Sequence, residues 1–312
     1  MKKCKIIINP QSGKKKKVNY QNIHDILSSF SYDSEIIFTK KKNDATQIMK
    51  NLDDDIDLVI SAGGDGTLNE VVEGNNNRKN KLVIANLPLG TTNDVGNMYG
   101  LNKSISDNLK LILSGTSKKI DICTINKKSF VYVACLGDYI DMAYNTPRKL
   151  KKLFGKLGYA LYALTRIKNK INTYKVKYKV NNKTYEDEFS FFFITNSIRV
   201  AGVNDIYYDV KLDDNMFEVA MAKVKTKKEM IRMLTLVLNL DIKDIPGITY
   251  YQTNNFEIEF LNDIKTSWCV DGEEYKEKNN KFTFSVNQNM KMKIPNEKID
   301  KLFINEDKKY EK

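Results

Sequence analysis

The chain has 312 residues, of which 41% are hydrophobic, so it is long enough for two domains with buried cores and too apolar for a disordered protein. Its net charge of +12 favours an anionic partner, such as a nucleotide, a nucleic acid or an acidic membrane, although a Lys- and Asn-rich genome composition would produce the same excess. Four scattered cysteines exclude a CxxC zinc site, and no apolar run approaches the roughly 20 residues of a membrane span. We therefore expect a cytoplasmic protein.

In the first 120 residues, short runs rich in Ile and Val alternate with helical patterns. The predicted strands are CKIIIN, SEIIFTK, IDLVISA and KLVIANL, and the predicted helices are YQNIHDILSSF, DATQIMKNL and TLNEVVEG. Such alternation indicates an α/β domain with a mainly parallel sheet.

From about residue 121 the runs become aromatic and β-branched, as in FVYVACLG, YKVKYKVN, FSFFFITNS and KFTFSV. This pattern is typical of antiparallel sheets and predicts a β-sandwich-like second domain. Helical patterns interrupt it at 142–170 and 227–240. We place the domain boundary at residue 122, giving domains 1–122 and 123–290, and the tail 291–312 is a candidate to return to the first domain.

The stretch SAGGDGTLNE, residues 61–70, follows the third predicted strand and places three glycines around Asp65. It matches neither the P-loop motif nor the complete Rossmann fingerprint. Glycines nevertheless let backbone approach a phosphate, and the free N–H groups at a helix start attract anions. Asp65 would repel a phosphate unless a cation such as Mg²⁺ lay between them. The alternative is a plain tight turn in which Asp65 caps its own helix.

Two further polar turns follow predicted strands, NPQSG at 9–13 and PLGTTND at 88–94. Ligands of open parallel sheets bind beyond the carboxyl ends of the strands. We therefore expect these two turns and the glycine turn to converge on one site.

GGDGTLNE and PLGTTND together resemble the catalytic domain of diacylglycerol kinases, which is shared with sphingosine and ceramide kinases. NPQSG, VKLDDNMFEVA at 210–220 and CVDGEE at 269–274 resemble further family motifs in the same order. The five motifs together carry the resemblance, because NAD kinases and phosphofructokinases share turns like GGDGT. The resemblance implies an α/β nucleotide-binding domain, a β-sandwich domain and an active site in the cleft between them.

By the same match, the residues that would contact ATP are Asn9, Pro10, Ser12, Gly13, Thr39, Gly63, Gly64, Asp65, Gly66, Thr67, Asn69, Glu70, Gly90, Thr91 and Asn93. An acidic set of Asp65, Asp94 and Asp121 would organise a catalytic Mg²⁺ through water. For Asp121 a simple surface strand residue is an equally good interpretation of the local pattern.

The general base implied by the resemblance is Asp271 or Glu273. Positions two apart on a strand share a face, so both could serve, and a plain hairpin turn is a third interpretation.

A second, structural Mg²⁺ site would use the Asp214 carboxylate with the backbone oxygens of Lys211 and Met216. Asn215 stands there where the family usually has glycine, and we expect it to adopt the positive φ that the turn needs. Thr92 likewise replaces a smaller residue.

The segment 146–170 alternates basic residues with a leucine stripe at helical spacing. Such a segment either docks on a membrane surface or packs its stripe on the sandwich.

The resemblance thus predicts an ATP- and Mg²⁺-dependent kinase that phosphorylates diacylglycerol at the inner face of the cell membrane. A kinase for another lipid, an NAD kinase, and a non-catalytic protein that binds membrane or nucleic acid are the alternatives; we expect no nucleic acid. Dimers occur in the family, but no interface is readable in these residues.

Overall fold

The computed structural model describes residues 1–12, 18–138, 170–200, 202–204, 206–207, 209–237, 239–262 and 267–304. The chain divides into two compact units. The first comprises Met1–Ile122, Lys211–Asn215 and the chain from Asn287, and the second comprises Cys123–Val210 and Met216–Val286.

The first unit is built on a parallel sheet whose strands alternate with helices. Its strands are β1 (Lys2–Ile8), β2 (Tyr32–Phe38), β3 (Leu58–Gly63) and β4 (Ile84–Pro88). Its helices are α1 (Tyr20–Ser29), α2 (Asp44–Lys50), α3 (Asp65–Asn76), α4 (Asp94–Met98) and α5 (Ile105–Ser114). The strand order is β2-β1-β3-β4, every pair is parallel, and β3 and β4 are buried along their whole length. The predicted parallel sheet is confirmed.

Helix α3 begins two residues earlier and ends two residues later than its predicted pattern. Gly74 lies within it because α2 approaches closely there: a Cβ at Gly74 would lie 2.5 Å from the carbonyl oxygen of Thr46.

The second unit consists mainly of antiparallel strands, two of which continue into the first unit. The strands are β5 (Thr116–Ile125), β6 (Lys128–Phe130), β7 (Val133–Gly137), β8 (Tyr174–Val180), β9 (Lys183–Phe189), β10 (Phe191–Thr195), β11 (Arg199–Val200), β12 (Val203–Asn204), β13 (Phe217–Ala222), β14 (Ile248–Thr253), β15 (Asn255–Phe260), β16 (Trp268–Val270), β17 (Glu273–Tyr275) and β18 (Lys281–Ile294). Helix α6 spans Lys227–Val237, and a short helix, α7, spans Ile299–Leu302 in the first unit.

Two sheets face each other across the core of the second unit. One, the six-stranded sheet, has the order β14-β13-β10-β7-β16-β17; the other contains β18-β15-β8-β9, with β5 and β6 at its side. Both sheets contribute to one aromatic core. The ring centroid of Trp268, from the six-stranded sheet, lies 5.5 Å from that of Phe282 and 5.2 Å from that of Phe284, which are both on β18 of the other sheet. Strand β8 alternates buried and exposed residues, as a strand with one solvated face does. The predicted sandwich is confirmed.

The predicted helix at 227–240 is observed as α6. The predicted basic segment at 146–170 lies, except for Lys170, outside the described residues. Every helix in the described part of the chain is too short or too polar to span a bilayer.

Candidate functional site

The turn between β3 and α3 is built around two adjacent glycines. Gly64 occupies the N-cap position, and Asp65 is the first residue of α3. A Cβ at Gly63 would lie 2.4 Å from Oγ1 of Thr67, one turn into the helix. Backbone amides at the start of α3 are therefore reachable by a ligand without interference from a side chain at Gly63 or Gly64.

The Asp65 carboxylate accepts hydrogen bonds from two backbone amides at the start of α4. Oδ2 lies 2.9 Å from the nitrogen of Asp94, and Oδ1 lies 3.2 Å from the nitrogen of Val95. A negative charge is stabilised at the N-terminal end of a helix dipole. Asp65 therefore caps α4, whereas the sequence alternative had it cap its own helix. It also fixes the α3 turn relative to the turn after β4.

The turn after β4 contacts the glycine turn through backbone. The nitrogens of Leu89 and Gly90 donate to the Gly63 oxygen at 2.7 and 3.1 Å. A Cβ at Gly90 would lie 2.6 Å from the Cα of Gly64. Asn93 takes a positive φ of 48° and its Nδ2 donates to the Gly90 oxygen at 2.9 Å. Only glycine at position 90 permits this approach.

The turn after β1 meets α3 through Asn9, whose Nδ2 donates to the Thr67 Oγ1 at 3.3 Å. Asn9 Oδ1 accepts from the nitrogen of Gln11 at 2.9 Å, which fixes the side chain. Thr39 is buried directly after β2. The convergence expected of turns that follow neighbouring parallel strands is therefore observed. Gly13 lies outside the described residues.

Glu70 binds the start of α2. Its carboxylate oxygens accept hydrogen bonds from the nitrogens of Asn43, at 2.9 Å, and Ala45, at 3.1 Å. These contacts give Glu70 a structural role in holding α2 against α3, and its predicted contact with nucleotide stays a prediction.

Asp121 is almost fully buried beside the Lys211–Asn215 segment. Its Oδ2 accepts from the nitrogen of Asn215 at 2.8 Å, and its Oδ1 from Nε2 of Gln288 at 3.1 Å. Burial, with neighbouring Asp214 and Asp213, raises the pKa of Asp121 to about 7, although the Asn215 and Gln288 bonds oppose the rise. The assignment of Asp121 to the Asp65 set stays a prediction. No sequence motif indicated Gln288.

Asn215 adopts φ of 60°, which confirms that asparagine supplies the positive φ expected in this turn. Lys211 directs its Nζ to the carbonyl oxygens of Asp300 and Lys301, at 3.2 and 2.8 Å, at the end of α7. Across the described residues, no three His, Cys, Asp or Glu side chains are grouped to hold one metal ion. The predicted structural Mg²⁺ site at Lys211, Asp214 and Met216 stays a prediction.

The Asp271 carboxylate is held by hydrogen bonds from backbone amides of the same unit. Its oxygens accept hydrogen bonds from the nitrogens of Val131, Tyr132 and Val133, at 2.7, 3.0 and 3.1 Å. Only 3% of Asp271 is exposed. Three amide donors stabilise the carboxylate and occupy three of its roughly four lone-pair sites.

Asp271 and Gly272 both have positive φ, 47° and 85°, and form the two-residue turn between β16 and β17. The premise that Asp271 and Glu273 share one face of a strand is therefore wrong, because a turn separates them. Glu273 begins β17, pairs with Val270 and is exposed to solvent.

A model of the diacylglycerol kinase catalytic domain matches residues 3–125. The first part of this chain is therefore similar to that catalytic domain. It is 28% identical over 308 residues to a diacylglycerol kinase of Staphylococcus aureus strain MRSA252, covering 98% of this chain and 96% of that protein. It is 29% identical over 274 residues to the enzyme of strain RF122, covering 87% and 86%.

A likeness of fold to a solved structure extends over nearly the whole chain. A crystal structure of a diacylglycerol kinase from Bacillus anthracis superposes with a TM-score of 0.76 and covers 96% of this chain and 99% of that one, at 24% identity. At that identity the structural likeness supports the fold alone. The matched residues 3–125 include the turns after β1, β3 and β4.

Proposed function

We propose that the protein is an ATP- and Mg²⁺-dependent kinase that phosphorylates the hydroxyl of diacylglycerol and yields phosphatidic acid and ADP. One observation carries the proposal: the backbone contact between Gly64 and Gly90, held by the Asp65 carboxylate on the amides of α4. Where two glycine backbones meet beside a helix start, no side chain covers the backbone N–H groups. These groups suit a polyphosphate better than an apolar ligand.

The ATP phosphates would bind at the amides of the β3–α3 turn, beside Gly64 and Gly66. Asn9 and Thr67 hydrogen-bond each other at the edge of this turn and would position the nucleotide there. Because phosphoryl transfer depends mainly on positioning and charge neutralisation, a rigid turn of this kind is what the reaction requires.

The residues present fit a magnesium ion. Mg²⁺ prefers carboxylate oxygens and is usually held by one or two carboxylates together with substrate phosphates and water, so a cage of three acidic side chains is not needed. Asp65, with help from Asp94 at the start of α4, would hold it through water. When bound, the ion would neutralise charge on the phosphate oxygens.

We assign the general base to Glu273 and a structural role to Asp271. In the proposed reaction the lipid hydroxyl oxygen bonds to the γ-phosphorus, the bond from that phosphorus to the bridging oxygen breaks, and ADP leaves. Glu273 takes the hydroxyl proton. Its exposed carboxylate is accessible for this, whereas the Asp271 carboxylate already accepts three amide hydrogen bonds.

We further propose that the protein works from the cytoplasm on the inner face of the membrane, where its substrate lies. Its net charge of +12 supports attraction to anionic lipid headgroups.

The test is incubation of the purified protein with radiolabelled ATP, Mg²⁺ and a substrate panel of diacylglycerol, ceramide, a sphingoid base and NAD. We expect label in phosphatidic acid, and none after the substitutions Asp65→Ala or Glu273→Ala. Label in NAD or a sphingoid base alone would reassign the substrate. Full turnover by both variants would refute the proposed catalytic roles of Asp65 and Glu273.

A further inference from the structure

Helix α6, in the second unit, exposes several apolar side chains. Of its eleven residues only Met230 is buried. Ile231 is 42% exposed and Leu234 is 37% exposed, and Leu240, shortly after the helix, is 40% exposed. Clustered exposed apolar side chains of this kind mark an interaction site more often than scattered ones do.

The other side of α6 accounts for how the helix is held. Met230 packs with Phe191, Ala222 and Val224 in a small core on the six-stranded sheet, and Met233 packs against the same cluster. Ile231 follows Met230 by one residue and projects from a different side of the helix, whereas Leu234, four residues on, lies on the Met230 side and is still 37% exposed.

Basic residues flank the exposed apolar ones. Lys228 and Arg232 are four residues apart and both exposed, and Lys227 opens the helix. The one acidic residue of α6, Glu229, accepts a hydrogen bond from the nitrogen of Lys225 at 2.7 Å. A helix that combines exposed Ile and Leu with a cationic flank matches the interface of an anionic bilayer, where the side chains enter the acyl boundary and the cations meet the headgroups.

A second copy of the chain fits this surface less well. A two-fold contact would place the same patch on both partners and bring Lys228 and Arg232 toward their own counterparts. The chain as a whole also carries +12, which attracts anionic lipid and opposes self-association.

The six-stranded sheet carries both α6 and the proposed base. Phe191, which packs against α6, pairs with Gly137 of β7, and four residues along β7 Val133 accepts a hydrogen bond from the nitrogen of Asp271. Four residues of strand correspond to about 14 Å. About 14 Å of strand thus separates the position on β7 that pairs with Phe191 from the position that bonds the β16–β17 turn.

We propose that α6, through Ile231, Leu234 and Leu240 with Lys228 and Arg232, is the surface by which the protein docks on anionic membranes. The proposal rests on the proposed function in so far as diacylglycerol is a bilayer lipid. It adds the surface at which the enzyme meets that bilayer.

The experiment measures binding to vesicles of phosphatidylcholine with and without phosphatidylglycerol, by sedimentation in the absence of ATP. We expect the wild type to bind the anionic vesicles, and Ile231→Asp with Leu234→Asp to weaken this binding at least about tenfold. Lys228→Ala with Arg232→Ala should weaken it and reduce its salt dependence. The matched control is Leu261→Asp, because Leu261 is 52% exposed in the same unit and lies away from α6 in sequence.

Activity separates docking from chemistry. The Ile231→Asp, Leu234→Asp variant should lose phosphorylation of long-chain diacylglycerol in vesicles and keep its turnover of a short-chain diacylglycerol dispersed in water. Circular dichroism checks its fold, and Leu234→Ser with Lys228→Glu gives a milder pair if the double variant does not fold.

Several outcomes would overturn the docking assignment: no binding by the wild type, unchanged binding by both α6 variants, equal loss in the Leu261→Asp control, or conversion of a wild-type dimer to a monomer by the α6 substitutions in solution. Failure of the proposed function looks different. A wild type that binds vesicles through α6 but phosphorylates no diacylglycerol would refute the kinase assignment and leave the docking surface in place.

Discussion

The substitution Gly90→Ala tests whether the contact between the β3 and β4 turns governs nucleotide binding. The new Cβ would lie 2.6 Å from the Cα of Gly64, whereas ordinary contacts begin near 3.4 Å, so the two turns must separate by about 0.8 Å. Overpacking of this kind costs about 1–3 kcal/mol of stability, and a shift approaching 1 Å at a reacting group costs on the order of 100-fold in rate. We expect the KM for ATP to rise and kcat/KM to fall by roughly that factor.

Gly74→Ala is the matched control for this prediction. Its Cβ would lie 2.5 Å from the Thr46 oxygen, a clash as severe as the one at Gly90 but on the α2 side of α3. Both variants should lose similar stability in thermal unfolding, while Gly74→Ala keeps the wild-type KM for ATP once the folded fraction is considered. The reasoning is refuted if Gly90→Ala binds ATP normally, or if both variants lose ATP affinity equally.

Three further predictions concern carboxylates. Asp65→Asn keeps one acceptor for the amides of α4 but removes the charge, so kcat should fall at least about 100-fold and the Mg²⁺ concentration needed for half-maximal activity should rise; an unchanged Mg²⁺ titration would contradict this. Glu273→Gln should lower kcat by about 10²–10⁴ with little change in melting temperature. Asp271→Asn should instead lower the melting temperature, because one carboxylate oxygen becomes an amide group that faces backbone amide donors. The opposite result for the two variants would exchange the roles of the two residues. Burial raises the pKa of Asp121 to about 7, so the folded state still holds a proton that the unfolded state releases near pH 4. The stability that this proton contributes is lost as the pH rises from about 4 through 7. In EDTA, the free energy of unfolding of Asp121→Asn should therefore rise relative to that of the wild type between about pH 5 and pH 8, and a constant difference would refute the raised pKa.

The sequence predicted the architecture because each element carried its own periodic signal. Runs such as IDLVISA are apolar on both faces, which is what a strand covered by helices requires, and β3 is indeed buried throughout. The run YKVKYKVN predicted an antiparallel strand, which is observed as β8; the alternating burial of β8 shows that one of its faces is solvated.

The details of the site were less predictable because they depend on partners distant in the chain. The glycines indicated permissive backbone but not that Gly90 would touch Gly64. Asp65 carried a capping signal, yet the helix it caps begins 29 residues later. Gln288 bonds Asp121 across 167 residues and belongs to no motif. Local periodicity carries no information about such pairs, which only the folded topology brings together.

The first unit is not a contiguous piece of chain, and this limits how the protein can be dissected. Met292 of β18 pairs with Ile84 of β4, Lys293 donates to the carbonyls of Leu113 and Gly115, and Leu302 accepts from the nitrogen of Leu212. A fragment ending near residue 125 would lack these partners and leave β4 as an open sheet edge prone to aggregation. Proteolytic trimming or premature termination late in the gene should therefore disable the half of the molecule encoded first.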